Sequence, residues 1–399
     1  MRSLTLKATA VLSALALVIL VASGFRGGAD RSTLPKGTIS VGFGNNLTGF
    51  LAVHDHLISQ GAQLAIRQIN LGGGIGGRVK IVLHLKDVKS DPATSVEVAN
   101  EIIGEHDTAM ILPCNTDFQV AMAAVAKAHN EFTLSPCNAD PTAWHKFPIY
   151  WPVGVAGNAQ MAQLASYAQS AGLTKIYVLD SNFLYIDLMA KYFQKAAPLY
   201  GIKIVGSSSI PFGATGFPND YSAFVDKIKA VNPTPQAVMT GLFTPYVDTL
   251  TKQLRAAGVK VPVLGSDGMD TGLDLSAGGT AVNGNVFTTF GFTSPGSATA
   301  KFYADFKKQY GKRPDGSYAA LGYETIKVLE AAVVRANSTD PKKIEAALAG
   351  GMTVKGALGA IKYRGHGEHN PTNNVALVKI QNRKFTLVKL GVPTKVPGI

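Results

Sequence analysis

One pattern repeats along most of the chain and limits its fold more than any other feature. Short β-branched runs alternate with longer stretches at helical spacing. The runs 38–43, 79–86, 109–112 and 131–134 read as strands, as do 175–179, 203–208, 237–240, 263–264 and 286–290. Between them, 58–70, 93–105 and 118–128 read as helices, and in the first of these Ile58, Ala62, Ala65, Ile66 and Ile69 share one face. Further helices are expected over 299–310 and 318–336. Strands separated by helices build parallel sheets through right-handed crossovers. The alternation runs well past Tyr150, which is more than one modest sheet holds, so two α/β lobes are expected. Ligands of such sheets sit beyond the carboxyl ends of the strands, near helix N-termini. Two facing lobes therefore put a ligand in the cleft between them.

The N-terminus is a different kind of segment. Arg2 and Lys7 precede a run from Ala8 to Ala22 that is apolar apart from Thr9 and Ser13, and Ala22, Ser23 and Gly24 offer a cleavage site. The run is shorter than the roughly 20 residues of a spanning helix. Residues 1–28 thus read as a removed export signal and the protein as periplasmic; an uncleaved anchor is the alternative. No cysteine is at hand for a lipid tether. Without Arg2, Lys7 and Arg26, 35 basic residues face 26 acidic ones, a net charge of +9. The basic residues are scattered and not interleaved with aromatics, so they read as a basic surface and no nucleic-acid partner is expected. At 46% hydrophobic and 16% charged residues the chain has ample material for cores.

Signatures of catalysis are weak. There is no G-x-S-x-G elbow, Walker A or H-E-x-x-H motif. Gly72, Gly74 and Gly77 match G-x-G-x-x-G in form, but a dinucleotide fingerprint follows a strand and opens a helix, and this one does the reverse. His54-Asp55-His56 and His366-Gly367-Glu368-His369 carry zinc-type ligands. Read as loop and turn groups they are surface chemistry; a metal-dependent hydrolase is the weaker alternative, and no metal or cofactor is expected. Cys114 and Cys137 are the only cysteines, and an even pair in an exported chain favours a disulfide. They follow two successive predicted strands. If those strands are neighbours, about 4.8 Å apart, the two come within disulfide reach.

Several runs, taken in order, resemble one family. Ile39-Ser40-Val41-Gly42 with Leu47-Thr48-Gly49 is similar to the opening strand and loop of type I periplasmic binding proteins. Gly61-Ala62-Gln63-Leu64-Ala65, then Ile69-Asn70 and the glycine turn to Arg78, resemble that family's first helix and the turn after it. The likeness continues through Tyr318-Ala319-Ala320-Leu321-Gly322-Tyr323 and the stretch 375–388. It is nearest the branched-chain amino-acid, amide and urea-binding branch. The resemblance implies two Rossmann-like lobes with parallel sheets, joined by a multi-strand hinge. The expected division is 34–153 plus 283–352 for lobe 1, and 154–282 plus 353–399 for lobe 2. It also implies an ABC-importer receptor for an amino acid, amide or aromatic acid, monomeric, non-enzymatic and partnered by permease and ATPase subunits. A sensor feeding a membrane receptor is the alternative.

The resemblance also implies a site. In the family, two first-lobe loops hold a ligand carboxylate through hydroxyls and main-chain amides. That assigns Asn115 and Thr116 in one loop, and Cys137 and Ala139 in the other. Simple helix capping is the competing reading for Asn115 and Thr116. Ala139 stands where a hydroxyl is usual, and the charge of Asp117 opposes a carboxylate unless it points away. In the second lobe, Phe243 would pack over the ligand and Asp267 would pair with its ammonium group. Leu184 or Tyr185 falls at a pocket aromatic, and His54, in the loop after Gly49, at the rim.

Overall fold

A computed structural model describes residues 33–213 and 216–399; the expected export signal, 1–28, lies outside the described residues. No helix among the described residues is long and apolar enough to cross a membrane. The first sheet is built from β1 (Gly37–Asn45), β2 (Val79–Asp87), β3 (Ala109–Ile111), β4 (Thr133–Ser135) and β5 (Tyr150–Pro152). It is parallel throughout, in the order β2-β1-β3-β4-β5. β5 has no counterpart in the sequence reading, because three residues ending in proline carry no period to detect.

The second sheet draws on β6 (Lys175–Ser181), β7 (Lys203–Ile210), β8 (Ala237–Thr240), β9 (Val263–Gly265) and β10 (Val286–Thr289). β11 (Met352–Gly356) and β12 (Gly359–Tyr363) form a separate hairpin, and β13 (Val375–Gln381) and β14 (Lys384–Gly391) complete the second sheet. Its order is β14-β13-β10-β9-β8-β6-β7. The last two strands are antiparallel, a departure from the all-parallel expectation. Only Asn382 and Arg383 separate them, both at positive φ (50° and 57°), and a two-residue connection of that kind can only return the chain antiparallel.

The division of the chain differs from the expected one at two places. β10 opens the stretch 283–352 yet pairs with β9 and β13 in the second sheet. The β11–β12 hairpin, expected in the second lobe, contributes Val354, Ile361 and Tyr363 to the first lobe's core. The helices Ala298–Tyr310, Tyr318–Ala336 and Pro341–Ala349 pack into that core. β10 is four buried residues, and a fully buried strand belongs wherever a sheet edge is open, which local pattern does not specify.

The glycine turn follows the helix Ala52–Leu71 and leads into β2, with Gly74 at φ 96°. A side chain there would meet the Val79 carbonyl oxygen at 2.4 Å. This is packing, not nucleotide chemistry.

Candidate functional site

The helix Ala52–Leu71 begins six residues earlier than its apolar period suggests. Its N-cap, Leu51, offers no side-chain cap and so no start signal. His54 and Asp55 therefore stand in the first helical turn, not in a loop. His54 is buried, whereas His56, roughly 200° further round the helix, is exposed. The pair diverges and does not form a metal site.

Both lobes contribute to a cavity with about 440 Å³ of space between its walls, part of it open to solvent. Of the expected site residues, it is lined by His54, Asn115, Cys137, Ala139, Tyr185, Phe243 and Asp267. Thr116 and Leu184 do not line it. Each is the first residue of a helix, where neighbouring side chains point about 100° apart, so Asn115 and Tyr185 take the cavity side. Leu184 instead presents its N–H to Asp117 Oδ1 at 3.1 Å. The sequence reading missed Asp55, Asn138, Gln160, Phe290 and Tyr318. Tyr318 lay inside a recognised run, but no local pattern marks it as facing a ligand.

Asp267 occupies the second-lobe floor. Tyr318 Oη donates to its Oδ2 at 2.9 Å, Tyr185 Oη lies 3.2 Å from its Oδ1, and the Gln160 amide also reaches it. Burial pushes its carboxyl upward, and these donors pull it back. Opposite, Asp55 Oδ2 accepts from Asn46 Nδ2 at 2.6 Å, Asn46 N at 3.3 Å and Cys114 N at 3.4 Å. Burial still carries Asp55 up to about 6. His54 Nε2 donates to Gly268 O at 3.1 Å across the cleft. Burial holds His54 down to about 4, so the ring is neutral at pH 7.

The two loops are tied by a Cys114–Cys137 disulfide, with Cα atoms 4.9 Å apart. Asn115 Oδ1 accepts from Asp117 N at 2.9 Å, so Asn115 caps its own helix as well as lining the cavity. Asp117 points away from the cavity. Its carboxylate accepts from Leu184 N (3.1 Å) and Tyr185 N (3.4 Å), at the start of the second-lobe helix Leu184–Ala196. That helix has no side-chain cap of its own, so a residue of the other lobe supplies it.

Phe50 crosses from the first lobe to stack on Phe243, with ring centroids 6.3 Å apart and planes at 17°. Phe183, Phe212 and Phe217 extend this cluster over the same flank. The other histidine motif is structural: His369 lies 3.7 Å from the Trp151 ring at 13°, and its Nδ1 is 2.9 Å from Tyr150 O. Outside the cleft, His84, Glu105 and Asp107 bring ligand-type atoms together, a grouping the sequence did not suggest. His84 Nδ1 lies 3.0 Å from oxygens of both acids, and Lys86 also pairs with Glu105, which reads as an ion-pair cluster.

Comparison with known proteins agrees with this architecture. A "Leu/Ile/Val-binding protein homolog 3" of Brucella melitensis is 27% identical over 334 residues, covering 83% of this chain and 88% of that protein. "Leu/Ile/Val-binding protein BraC3" of Rhizobium johnstonii is 24% identical, covering 83% and 88%. A leucine-binding protein LivK from Thermotoga maritima superposes with a TM-score of 0.78 at 22% identity, over 89% of this chain and 99% of that one. A Rhodopseudomonas palustris solute-binding protein in complex with benzoate gives 0.78 at 21% identity, over 90% and 98%. The sequence profile of one family, described as "Periplasmic binding protein", matches residues 38–384. Two α/β lobes facing across a lined cavity, with that match over most of its length, mean that the chain belongs to the periplasmic binding protein family.

Proposed function

We propose that this chain is the extracytoplasmic receptor of an ATP-driven importer, and that its solute carries a protonated amine held by Asp267. One observation carries the amine: a buried carboxylate where the lobes meet, with no ion-pair partner among the described residues. A buried charge is costly unless paired and hydrogen-bonded. Asp267 has the hydrogen bonds, and a solute ammonium would supply the counter-charge.

Family membership and the amino-acid-binding relatives support the transport role. The reading takes a permease pair and ATPase subunits as partners, residues 1–28 as the export signal, the periplasm as the compartment and a monomer as the working unit. It needs no chemical step. A solute touching both lobes favours the closed form over the open one, and the closed form is what the membrane partners would read.

The test is a thermal-shift screen of the purified protein, refolded to strip bound solute, against amines, amino acids, amides and aromatic acids. A solute at a hundred times its Kd adds about 2.7 kcal/mol of stability. The expected result is a clear shift with an amine-bearing class that Asp267→Ala abolishes. Shifts only with solutes lacking an amine would overturn the role of Asp267, and no shift with any class would overturn the receptor reading.

A further inference from the structure

The first-lobe end of the cavity is where a solute carboxylate would be expected, since strand-to-helix loops present amides there. In this chain a protein carboxylate already stands at that end. Asp55 Oδ2 takes the Cys114 amide at 3.4 Å, together with both nitrogens of Asn46. Its place in the first turn of the helix Ala52–Leu71 adds the positive end of the helix dipole. A solute α-carboxylate brought to the same loop would face an identical group of like charge in a desolvated site.

The rest of the wall points the same way. No lysine or arginine lines the cavity among the described residues. His54 is neutral, and with Nε2–H given to Gly268 O its Nδ1 is an acceptor, buried and without a partner. Asn138 uses its Nδ2 on Asn370 at 3.0 Å, and its Oδ1 is likewise buried without a partner. The wall is rich in acceptors and negative charge, with aromatic faces between. Such faces attract a cation and gain nothing from an anion.

We propose that the solute is a compact organic cation without a carboxylate, an amine or amidinium on a small apolar body, bound between Asp55 and Asp267. This rests on the receptor reading and goes further: it excludes the zwitterionic amino acids bound by several similar proteins. Asp267 and Asp55 meet the donor-rich head, and Phe243 and Tyr318 pack the body.

Isothermal titration with matched probes tests it: leucine, 3-methylbutylamine and 4-methylpentanoate, then phenylalanine, 2-phenylethylamine and 3-phenylpropanoate. The expected result is that at least one amine binds tenfold or more tighter than its parent amino acid, with its acid undetectable. Asp55→Asn, nearly the same shape, should cut that preference at least tenfold. Either amino acid or acid binding more tightly than its amine would overturn the proposal and leave the receptor reading standing. So would a failure of both amines to bind at millimolar concentration. The receptor reading falls separately, if no solute of any charge class binds or co-purifies with the protein. The probe ratios on the unaltered protein decide the matter even if Asp55→Asn fails to fold.

Discussion

Asp55 is held in its folded position at a cost that pH reveals. Burial raises it from the ordinary 3.8 to about 6, against hydrogen bonds from Asn46 and Cys114 that favour the ionised form. A carboxyl raised on folding contributes stability that is full below its unfolded value and is lost as pH rises through the folded one. The window is therefore about pH 4 to 6, and the ionised form at neutral pH costs the solute-free protein about 3 kcal/mol. Urea unfolding should find Asp55→Asn close to the parent at pH 4 and more stable by up to about 3 kcal/mol at pH 7.5. A variant less stable at pH 7.5 would show that the Asn46 and Cys114 hydrogen bonds outweigh desolvation. Strain of this kind at a binding position fits a site that is relieved when its ligand arrives.

Two elements fix the first lobe's geometry. The helices Ala52–Leu71 and Tyr318–Ala336 pass so closely that a side chain at Gly61 would lie 1.7 Å from the Ala319 carbonyl oxygen, and one at Gly322 1.9 Å from that of Ile58. Both obstacles are backbone and cannot rotate away. Gly322→Ala is therefore expected to cost about 3 kcal/mol or more, at the upper end of overpacking effects. Gly104→Ala, with open space around it, should be neutral or stabilising by about 0.5–1 kcal/mol. Denaturation midpoints compare them directly, and equal effects would refute the close-approach argument. The disulfide is the other element: it joins loops 23 residues apart, and the entropy model gives it about 3 kcal/mol. Cys114→Ser with Cys137→Ser should lose roughly that in urea, and should also weaken solute binding as both loops loosen. These two glycines stood within recognisable runs, but only the packed structure pairs their helices. β10 was legible as a strand but not as a member of the second sheet, because four buried residues fit either.

At the scale of the whole molecule, the described state is closed. Bonds that span the cleft join His54 to Gly268, Tyr318 to Asp267 and Asp117 to the helix Leu184–Ala196, and Phe50 covers the flank. Each exists only while the lobes are together, so each biases the equilibrium toward closure. A helix cap is worth about 1 kcal/mol, so Asp117→Ala should weaken solute affinity roughly fivefold. It should also enlarge the solute-free radius of gyration in small-angle X-ray scattering. Unchanged affinity and radius would mean that the cap forms equally well in the open state.

By itself the sequence determined what repeats or sits in a local pattern: the alternating α/β elements, the two lobes, the glycine turn, and the loops carrying Asn115, Cys137, Phe243 and Asp267. Periodicity and strand-end position are local properties, and neighbouring residues suffice to express them. Tertiary structure alone decided which side chains meet. His54 and Gly268 are 214 positions apart, Asp117 caps a helix 67 residues on, and Asp55 reaches the Cys114 amide from 59 residues away. A helix starting without a capping residue hid Asp55 in an apparent loop, and only the packed lobes place it on the wall of the same cavity as Asp267.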